Sequence, residues 1–146
     1  MSGPFRNFIG GQWVEGAEVS RNVNPSNTDD LVGEYARASA AQTEEAISAA
    51  RAASHAYART TPQERYDALM KVSNEIMARK EELGRLLARE EGKTLAEGIG
   101  ETARAGQIFS FFAAETLSPP GEKLASLRPG LDVEITRQPV RVLANL

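Results

Sequence analysis

The spacing of hydrophobic and polar residues along the chain changes from strand-like to helical near Thr43. Before that point, the segment FIGGQWV (residues 8–14) places apolar pairs on both sides of two glycines. Paired glycines adopt the positive φ angles of a tight turn, so this segment predicts a β-hairpin. Residues 19–24 and 31–37 predict two further short strands, because the segment NPSNTDD between them consists of turn-forming residues.

Two helical stretches follow. From Thr43, the segment TEEAISAARAASHAYAR has helical periodicity, and its two glutamates are expected in the first turn, where the helix dipole favours acids. The segment TPQE at Thr61 predicts the start of the next helix, with a capping threonine, proline at the first helical position and glutamate at the third. Apolar spacing continues to Gly92, with an expected break near residues 79–80.

A third long helix is predicted over residues 94–117. Its glycines at positions 98, 100 and 106 each cost about 1 kcal/mol relative to alanine in a helix interior, so we expect them to let a neighbouring helix approach closely. The segment QIFSFFAAE near its end carries three phenylalanines on more than one face. This helix should therefore have packing partners on two sides.

The C-terminal part predicts a second hairpin and one more strand. The segment SPPGEK ends the helix, and a hairpin is expected over residues 121–136 with a bend at the Pro-Gly pair. Its second strand alternates apolar and polar residues, which is typical of a half-exposed strand. In the final segment QPVRVLANL, Val140, Val142 and Leu143 predict a strand without a partner after it.

The composition is that of a globular protein and excludes several classes of function. Hydrophobic residues make up 41% and charged residues 25%. The net charge is −3, and the basic residues are scattered, so no nucleic-acid partner is expected. The apolar runs are far shorter than the roughly 18 residues of a membrane span. The segment MSGPFRNFIGG lacks the apolar core of a signal peptide, so a cytoplasmic location is expected.

Few residues have the chemistry of a catalyst. The chain contains no cysteine, which excludes thiolate catalysis and cysteine-based zinc sites, and its one histidine, His55, is expected on a helix surface. EEGKT at 90–94 lacks the earlier glycine of a phosphate-binding loop, since position 87 is leucine. GIGETARAG lies within a helix and has Ala103 where a dinucleotide-binding loop needs glycine. The adjacent acidic pairs are expected on solvated faces.

Taken in order, several segments resemble the NAD(P)-dependent aldehyde dehydrogenases. They are NFIGGQWVEG, NPSNTDDLVGEYARAS, the alanine-rich helix, TTPQERYDALMKV, ARKEELGRLLAREEGKT, FSFFAAE and LRPGLDVEITRQPV. The resemblance runs from about Phe5 to Val140. Within the family, REEGKTLAEGIGE together with RAGQIF is most similar to the 2-oxoglutarate semialdehyde (2,5-dioxopentanoate) dehydrogenases.

The resemblance implies an α+β fragment of an α/β protein. An N-terminal hairpin, three or four helices and a second hairpin would precede a first Rossmann-like strand that is cut short. Residues 1–118 would be the N-terminal part of the cofactor-binding domain, residues 119–138 an oligomerisation hairpin, and residues 139–146 that first strand. The tail departs from the family, because Arg141 and Ala144 stand where glycine is usual. Asn145 likewise stands where an aliphatic residue is expected.

The family reaction is the NAD(P)-dependent oxidation of an aldehyde to the carboxylate, here with 2-oxoglutarate semialdehyde as the implied substrate. The family's cysteine nucleophile, glutamate base and cofactor contacts lie beyond the equivalent of Leu146. No catalytic or cofactor-binding residue is therefore expected here: NAD or NADP would bind the full-length family, and this chain would be inactive alone. Two alternatives stay open, namely a non-catalytic helical interaction module and one piece of a split dehydrogenase. The expected partners are a second copy or a complementing dehydrogenase fragment, without nucleic acid or membrane.

One minor site is also implied by the resemblance. Some family members bind a monovalent cation through main-chain oxygens before the Asn-Pro turn and an acidic residue before Gly-Lys. Those positions are Asn22, Val23 and Glu90 in this chain. The family residue at the position of Glu90 is often aspartate rather than glutamate. The competing interpretation is therefore that Glu90 binds no cation and has a structural role at a helix end.

Overall fold

Two β-hairpins form the N-terminal part of the chain. In the computed structural model, which describes residues 3–144, β1 (Asn7–Ile9) pairs with β2 (Gln12–Val14), and β3 (Glu18–Val23) pairs with β4 (Leu31–Arg37). Gly10 and Gly11 have φ angles of 57° and 83°, which confirms the predicted glycine turn. The predicted first hairpin and the two further predicted strands are confirmed.

The first helix begins earlier than the sequence analysis predicted. α1 (Ala40–Tyr57) is capped by Ser39, whose side chain accepts from the Gln42 backbone, while the Gln42 side chain accepts from the Ser39 backbone. This capping box starts the helix three residues before Thr43, so the expectation that its glutamates lie in the first turn is wrong. No residue of α1 is buried, and α1 packs mainly against β1.

The second and third helices meet at the predicted break. α2 (Pro62–Ala78) starts with the predicted capping box, because Thr61 Oγ1 accepts from the Glu64 N–H and Glu64 Oε2 accepts from the Thr61 N–H at 2.7 Å. Arg79, with φ of −107°, separates α2 from α3 (Lys80–Glu91). Gly92 ends α3 in the left-handed conformation with φ of 70°, which confirms it as the end of this stretch.

The longest helix, α4 (Leu95–Glu115), packs against α2 and α3. Thr94 and Glu97 form a further capping box that the sequence analysis did not identify. The buried Ser73 hydroxyl of α2 donates to the Gly106 carbonyl of α4 at 2.8 Å. A side chain thus bridges directly to a neighbouring helix backbone, which requires the two helices to lie close together.

Glycines make the close helix contacts possible. A Cβ atom at Gly98 would overlap the Gly84 carbonyl oxygen of α3, and one at Gly106 would lie 2.8 Å from Met77 Sδ of α2. Gly84 has the same restriction, since its Cβ would lie 2.6 Å from Ile99 Cα. The predicted role of small residues is confirmed at positions 98 and 106. It does not apply to Gly100, where a Cβ would meet nothing within 4 Å.

The second hairpin is present, but its environment differs from the prediction. β5 (Gly121–Ala125) pairs antiparallel with β6 (Asp132–Thr136), as expected. Every residue of β6 is exposed, with Val133 at 42% and Ile135 at 49%, so the half-exposed strand that the alternation predicts has no buried face in this structure. The alternating pattern marks an apolar face, but no described element covers that face closely enough to bury it.

Residues 137–144 form no regular strand, so the strand predicted at Val140, Val142 and Leu143 is absent from this structure. A strand is stabilised by hydrogen bonds to a neighbour, and no such partner lies beside this segment in the described chain. Arg141 also has a φ of 67°, outside the extended region. Assignment of residues 139–146 to a cofactor domain stays a prediction, and positions 145 and 146 lie outside the described residues.

The α+β fold class is confirmed, with four helices and three two-stranded sheets within residues 3–144. The buried apolar residues of this part are few and mostly small: Ile9, Ala88 and Ala113. Phe111 and Phe112 of α4 are 61% and 55% exposed, which agrees with the expected second apolar face. No helix in residues 3–144 has the length and apolar character needed to span a bilayer.

The glycine contacts predict opposite effects for two neighbouring substitutions on α4. Gly98→Ala should destabilise the fold by about 1–3 kcal/mol, because overpacking against the α3 backbone outweighs the gain in helix propensity. Gly100→Ala is the matched control and should stabilise by up to about 1 kcal/mol, since its Cβ has open space. Urea unfolding followed by circular dichroism measures both. Equal stabilisation by the two variants would contradict the close α3–α4 contact.

Candidate functional site

The turn between β3 and β4 packs against the C-terminal end of α3, and we call this region (residues 22–31 and 89–93) the turn–helix junction. The turn is shaped by Asn24, whose Oδ1 accepts from the Ser26 N–H at 2.9 Å. The Asn24 N–H donates to the Asp30 carbonyl at 3.0 Å, which closes the base of the turn. Such Asx contacts are the reason that NPSNTDD folds back locally.

A bidentate ion pair connects this turn to α3. Arg89 Nη2 lies 2.6 Å from Asp30 Oδ1, and Arg89 Nε lies 2.9 Å from Asp30 Oδ2. The same guanidinium donates to the Leu31 carbonyl at 3.1 Å. The hydrogen bonds from Arg89, with a further one from Asn24, lower the pKa of Asp30 from its ordinary 3.8 to about 2. The expectation that the acidic pairs are simply solvated is therefore wrong for Asp30.

Two neutral donors join the turn and strand to the same helix end. Asn22 Nδ2 donates to Glu90 Oε1 at 2.8 Å, and the Ser26 hydroxyl donates to the Gly92 carbonyl at 2.7 Å. A Cβ at Gly92 would lie 2.7 Å from Ser26 Oγ, so this position needs glycine for space as well as for its positive φ. The helix end thus has its exposed carbonyl satisfied by the turn.

Lys93 connects the junction to α4. Its ammonium group pairs with Glu91 and lies 2.7 Å from Glu101 Oε2. The hydrogen bonds that this ammonium group donates to Glu101, and to a lesser extent to Glu91, raise the pKa of Lys93. Since this lysine is already held between two carboxylates at the end of a helix, the segment EEGKT is a charge-compensated helix end. The interpretation of EEGKT as helix termination is confirmed.

The three residues of the implied cation site lie in this junction. The structure brings Asn22 and Glu90 into direct contact, and the β3–β4 register shifts between Asn22 and Val23, where a bulge disrupts the backbone pairing. Hard cations are held by oxygen ligands, whereas Glu90 Oε1 here accepts from an amide N–H. No cluster of three or more acidic or histidine side chains that could hold a metal ion occurs in the described residues. Ligation by Asn22, Val23 and Glu90 stays a prediction, and the geometry itself gives Glu90 a structural contact.

The residues of the junction come from two segments that lie far apart along the chain, which is why the sequence analysis found only some of them. Asp30 and Arg89 are 59 positions apart, and neither of the segments that contain them indicates by itself that the two residues pair. His55 is exposed on α1, as the sequence predicted. No cysteine is present in the 146 residues, so the junction positions polar and charged groups without a thiolate nucleophile.

Comparison with known proteins decides the family. The model of a family described as "Aldehyde dehydrogenase family" matches residues 13–146. The chain belongs to the aldehyde dehydrogenase family. An alpha-ketoglutarate semialdehyde dehydrogenase of Haloferax volcanii is 32% identical over 146 residues, covering 99% of this chain and 30% of that protein. An alpha-ketoglutaric semialdehyde dehydrogenase of Bacillus subtilis is 33% identical over 141 residues, covering 95% and 29%.

Solved structures agree with this family and with the fold. Betaine aldehyde dehydrogenase of Staphylococcus aureus, in complex with NAD+, superimposes with a TM-score of 0.83 at 28% identity. The match covers 92% of this chain and 27% of that one. This chain therefore spans about 30% of the length of the curated aldehyde dehydrogenases that it matches.

The Asp30–Arg89 pair predicts a specific acid sensitivity. Because the folded pKa of Asp30 lies below its ordinary value, its contribution to stability is present above about pH 3.8 and is lost as pH falls through about 2. Asp30→Asn should lower stability at neutral pH and remove this part of the acid dependence. Urea midpoints measured from neutral pH down to pH 2 test the prediction, with the exposed neighbour substitution Asp29→Asn as the control.

If Asp29→Asn and Asp30→Asn have the same pH profile, the ion pair does not stabilise the junction.

Thermal unfolding of the chain in sodium chloride and in choline chloride tests the implied cation site. Ligation would give a sodium-dependent increase in melting temperature that Glu90→Gln removes. No difference between the two salts would leave Glu90 with its structural contact alone.

Proposed function

We propose that this chain corresponds to the N-terminal part of an NAD(P)-dependent dehydrogenase that oxidises 2-oxoglutarate semialdehyde to the carboxylate. The supporting observation is the similarity to two α-ketoglutarate semialdehyde dehydrogenases over 95–99% of this chain. Both relatives exceed 30% identity, and both matches extend through the turn–helix junction and the helices. The substrate is the one that the names of these relatives give.

We further propose that the 146 residues do not catalyse this reaction by themselves. The family chemistry requires a thiolate that adds to the aldehyde and a bound nicotinamide that accepts the hydride. The chain has no cysteine, so it lacks the group that would form the thiohemiacetal. The role of its own residues is structural: the junction and the α2–α4 contacts fix the positions of the strands and helices that the rest of a dehydrogenase would pack against.

Association with another polypeptide follows from the apolar surfaces that this part of the fold exposes. On α4, Phe111 and Phe112 project from the helix, and on the β5–β6 hairpin Val133 and Ile135 form an exposed row. Exposed apolar patches of this kind mark interaction surfaces. We infer self-association or binding of a complementing dehydrogenase fragment.

A non-catalytic interaction module is the second candidate function. It is favoured by the contact network of α2, α3 and α4, whose helices all belong to this chain. The two candidates differ in the behaviour of the isolated chain. A scaffold completed by other dehydrogenase segments should associate or aggregate, whereas an independent module should be a monodisperse, cooperatively folded protein.

The purified chain should not oxidise 2-oxoglutarate semialdehyde with either NAD+ or NADP+, because it has no thiolate nucleophile. Formation of the reduced cofactor, followed by absorbance, measures this. The Bacillus subtilis relative under the same conditions is the positive control. Turnover above the no-enzyme rate would require a mechanism without a thiol and would refute the proposal.

Calorimetry should likewise detect no NAD+ binding to the purified chain with a dissociation constant below about 1 mM, which corresponds to a binding free energy of roughly 4 kcal/mol.

Light scattering at micromolar concentration should give a mass above the 15.8 kDa of one chain. The double substitution Val133→Thr and Ile135→Thr should reduce the association, because it removes the apolar row of β6 while keeping β-branched side chains. Val19→Thr on the exposed part of β3 is the matched control and should have no effect. A monodisperse 15.8 kDa species with a cooperative melt would instead support the interaction module.

A further inference from the structure

The C-terminal half of α1 has an unusual charge distribution. Between Glu45 and Glu64 the chain contains no acidic residue, but it contains Arg51, His55 and Arg59. Arg51 and His55 are four positions apart on α1 and therefore lie on the same face of the helix. This segment therefore carries an excess of basic side chains, whereas the whole chain has a net charge of −3.

The segment 138–142 lies against that face and encloses a groove, which we call the α1 groove. It consists of three cavities of about 500, 250 and 350 Å³, and Arg141 lines all three. Arg51 and His55 line one end of the groove, while the largest cavity has mostly apolar walls. Those walls are Ala50, Ala53, Tyr57, Ala58, Pro139, Val140 and Val142. No acidic residue lines any of the three cavities.

Arg51 and Arg141 form no ion pair in the described residues, a property that they share with Arg59, Arg85, Arg104 and Arg128. Neither Arg51 nor Arg141 has a carboxylate partner within 4.0 Å in residues 3–144, whereas Arg89 is held by Asp30. Arg65, which also lines the largest cavity, donates to the Ala58 and Thr60 carbonyls at the end of α1. The charges of Arg51 and Arg141 are thus not compensated by an acidic side chain of the described structure.

The backbone of Arg141 is a second, independent observation. Its φ of 67° makes it the one non-glycine residue in the described chain with a positive φ. An arginine rarely adopts this conformation, and such outliers occur where the surrounding structure fixes a side chain for binding. Here the conformation belongs to the residue shared by all three cavities.

We propose that the α1 groove binds a small organic anion with an apolar ring. The ring lies in the largest cavity against Tyr57 and Val140, and the anionic group lies between Arg141, Arg51 and His55. The volume of about 500 Å³ is within the range of small-molecule sites, and guanidinium groups bind phosphate and carboxylate oxygens through paired hydrogen bonds. The groove uses no residue of the turn–helix junction.

Equilibrium dialysis of the full 146-residue chain against phenyl phosphate tests the proposal. Binding should be saturable, and each of Arg51→Gln and Arg141→Asn should weaken it about tenfold, as expected for loss of a charge-assisted hydrogen bond. Asparagine is chosen at position 141 because it tolerates the left-handed conformation. The matched control is Arg104→Gln, an exposed helical arginine outside the groove, which should bind like the unchanged chain. Inorganic phosphate, which lacks the ring, should bind more weakly than phenyl phosphate.

Proton NMR of the single histidine side chain locates the binding site. His55 is the one histidine in the chain and Trp13 the one tryptophan, so each gives a single assignable side-chain resonance. Phenyl phosphate should shift the His55 signal and leave that of Trp13 unchanged. Absence of saturable binding, or equal loss in Arg104→Gln and Arg51→Gln, would overturn the proposal. If inorganic phosphate binds with the same affinity as phenyl phosphate, the largest cavity does not bind an apolar ring.

Discussion

The close contact between the backbones of α3 and α4 is the constraint on which the rest of the described structure depends. Gly84 and Gly98 bring the two backbones into direct contact, and Gly106 makes room for the Met77 side chain of α2. Helices this close fill their interface with glycine, alanine and hydroxyl side chains, so the described core contains no fully buried large side chain. The large apolar residues consequently lie on the outer faces of α4 and the β5–β6 hairpin.

The turn–helix junction adds an electrostatic contact to this packing. The Asp30–Arg89 pair is partly shielded from solvent, with 27% and 38% of the two side chains exposed, and its bidentate geometry is specific as well as strong. Asn22, Ser26 and Lys93 place further hydrogen bonds around the same helix end. The hairpin and the helical unit are therefore joined at one well-defined place.

Local signals in the sequence predicted much of the fold. The Gly-Gly turn, the Thr61 capping box and the Gly92 helix end each depend on residues within four positions of one another, and all three are confirmed. The start of α1 was misplaced because the Ser39 box uses glutamine rather than the more obvious glutamates that follow. The Asp30–Arg89 pair could not be predicted, since only the tertiary fold brings its members together. The strand at residues 140–144 was predicted from its β-forming residues and from the family resemblance, and neither supplies the neighbouring strand that it needs.

The separation of Asp30 and Arg89 along the chain also has a consequence for the order of assembly. At typical rates of synthesis, the 59 positions between them represent on the order of several seconds. During that interval the residues of β3 and β4 are present without α3, and Asp30 has no arginine partner from that helix. The helices can form from local contacts as they emerge, while closing this long loop comes later. Formation of the junction joins the β3–β4 hairpin to α3, and the residues of α4 that pack against α3 are synthesised only after Arg89.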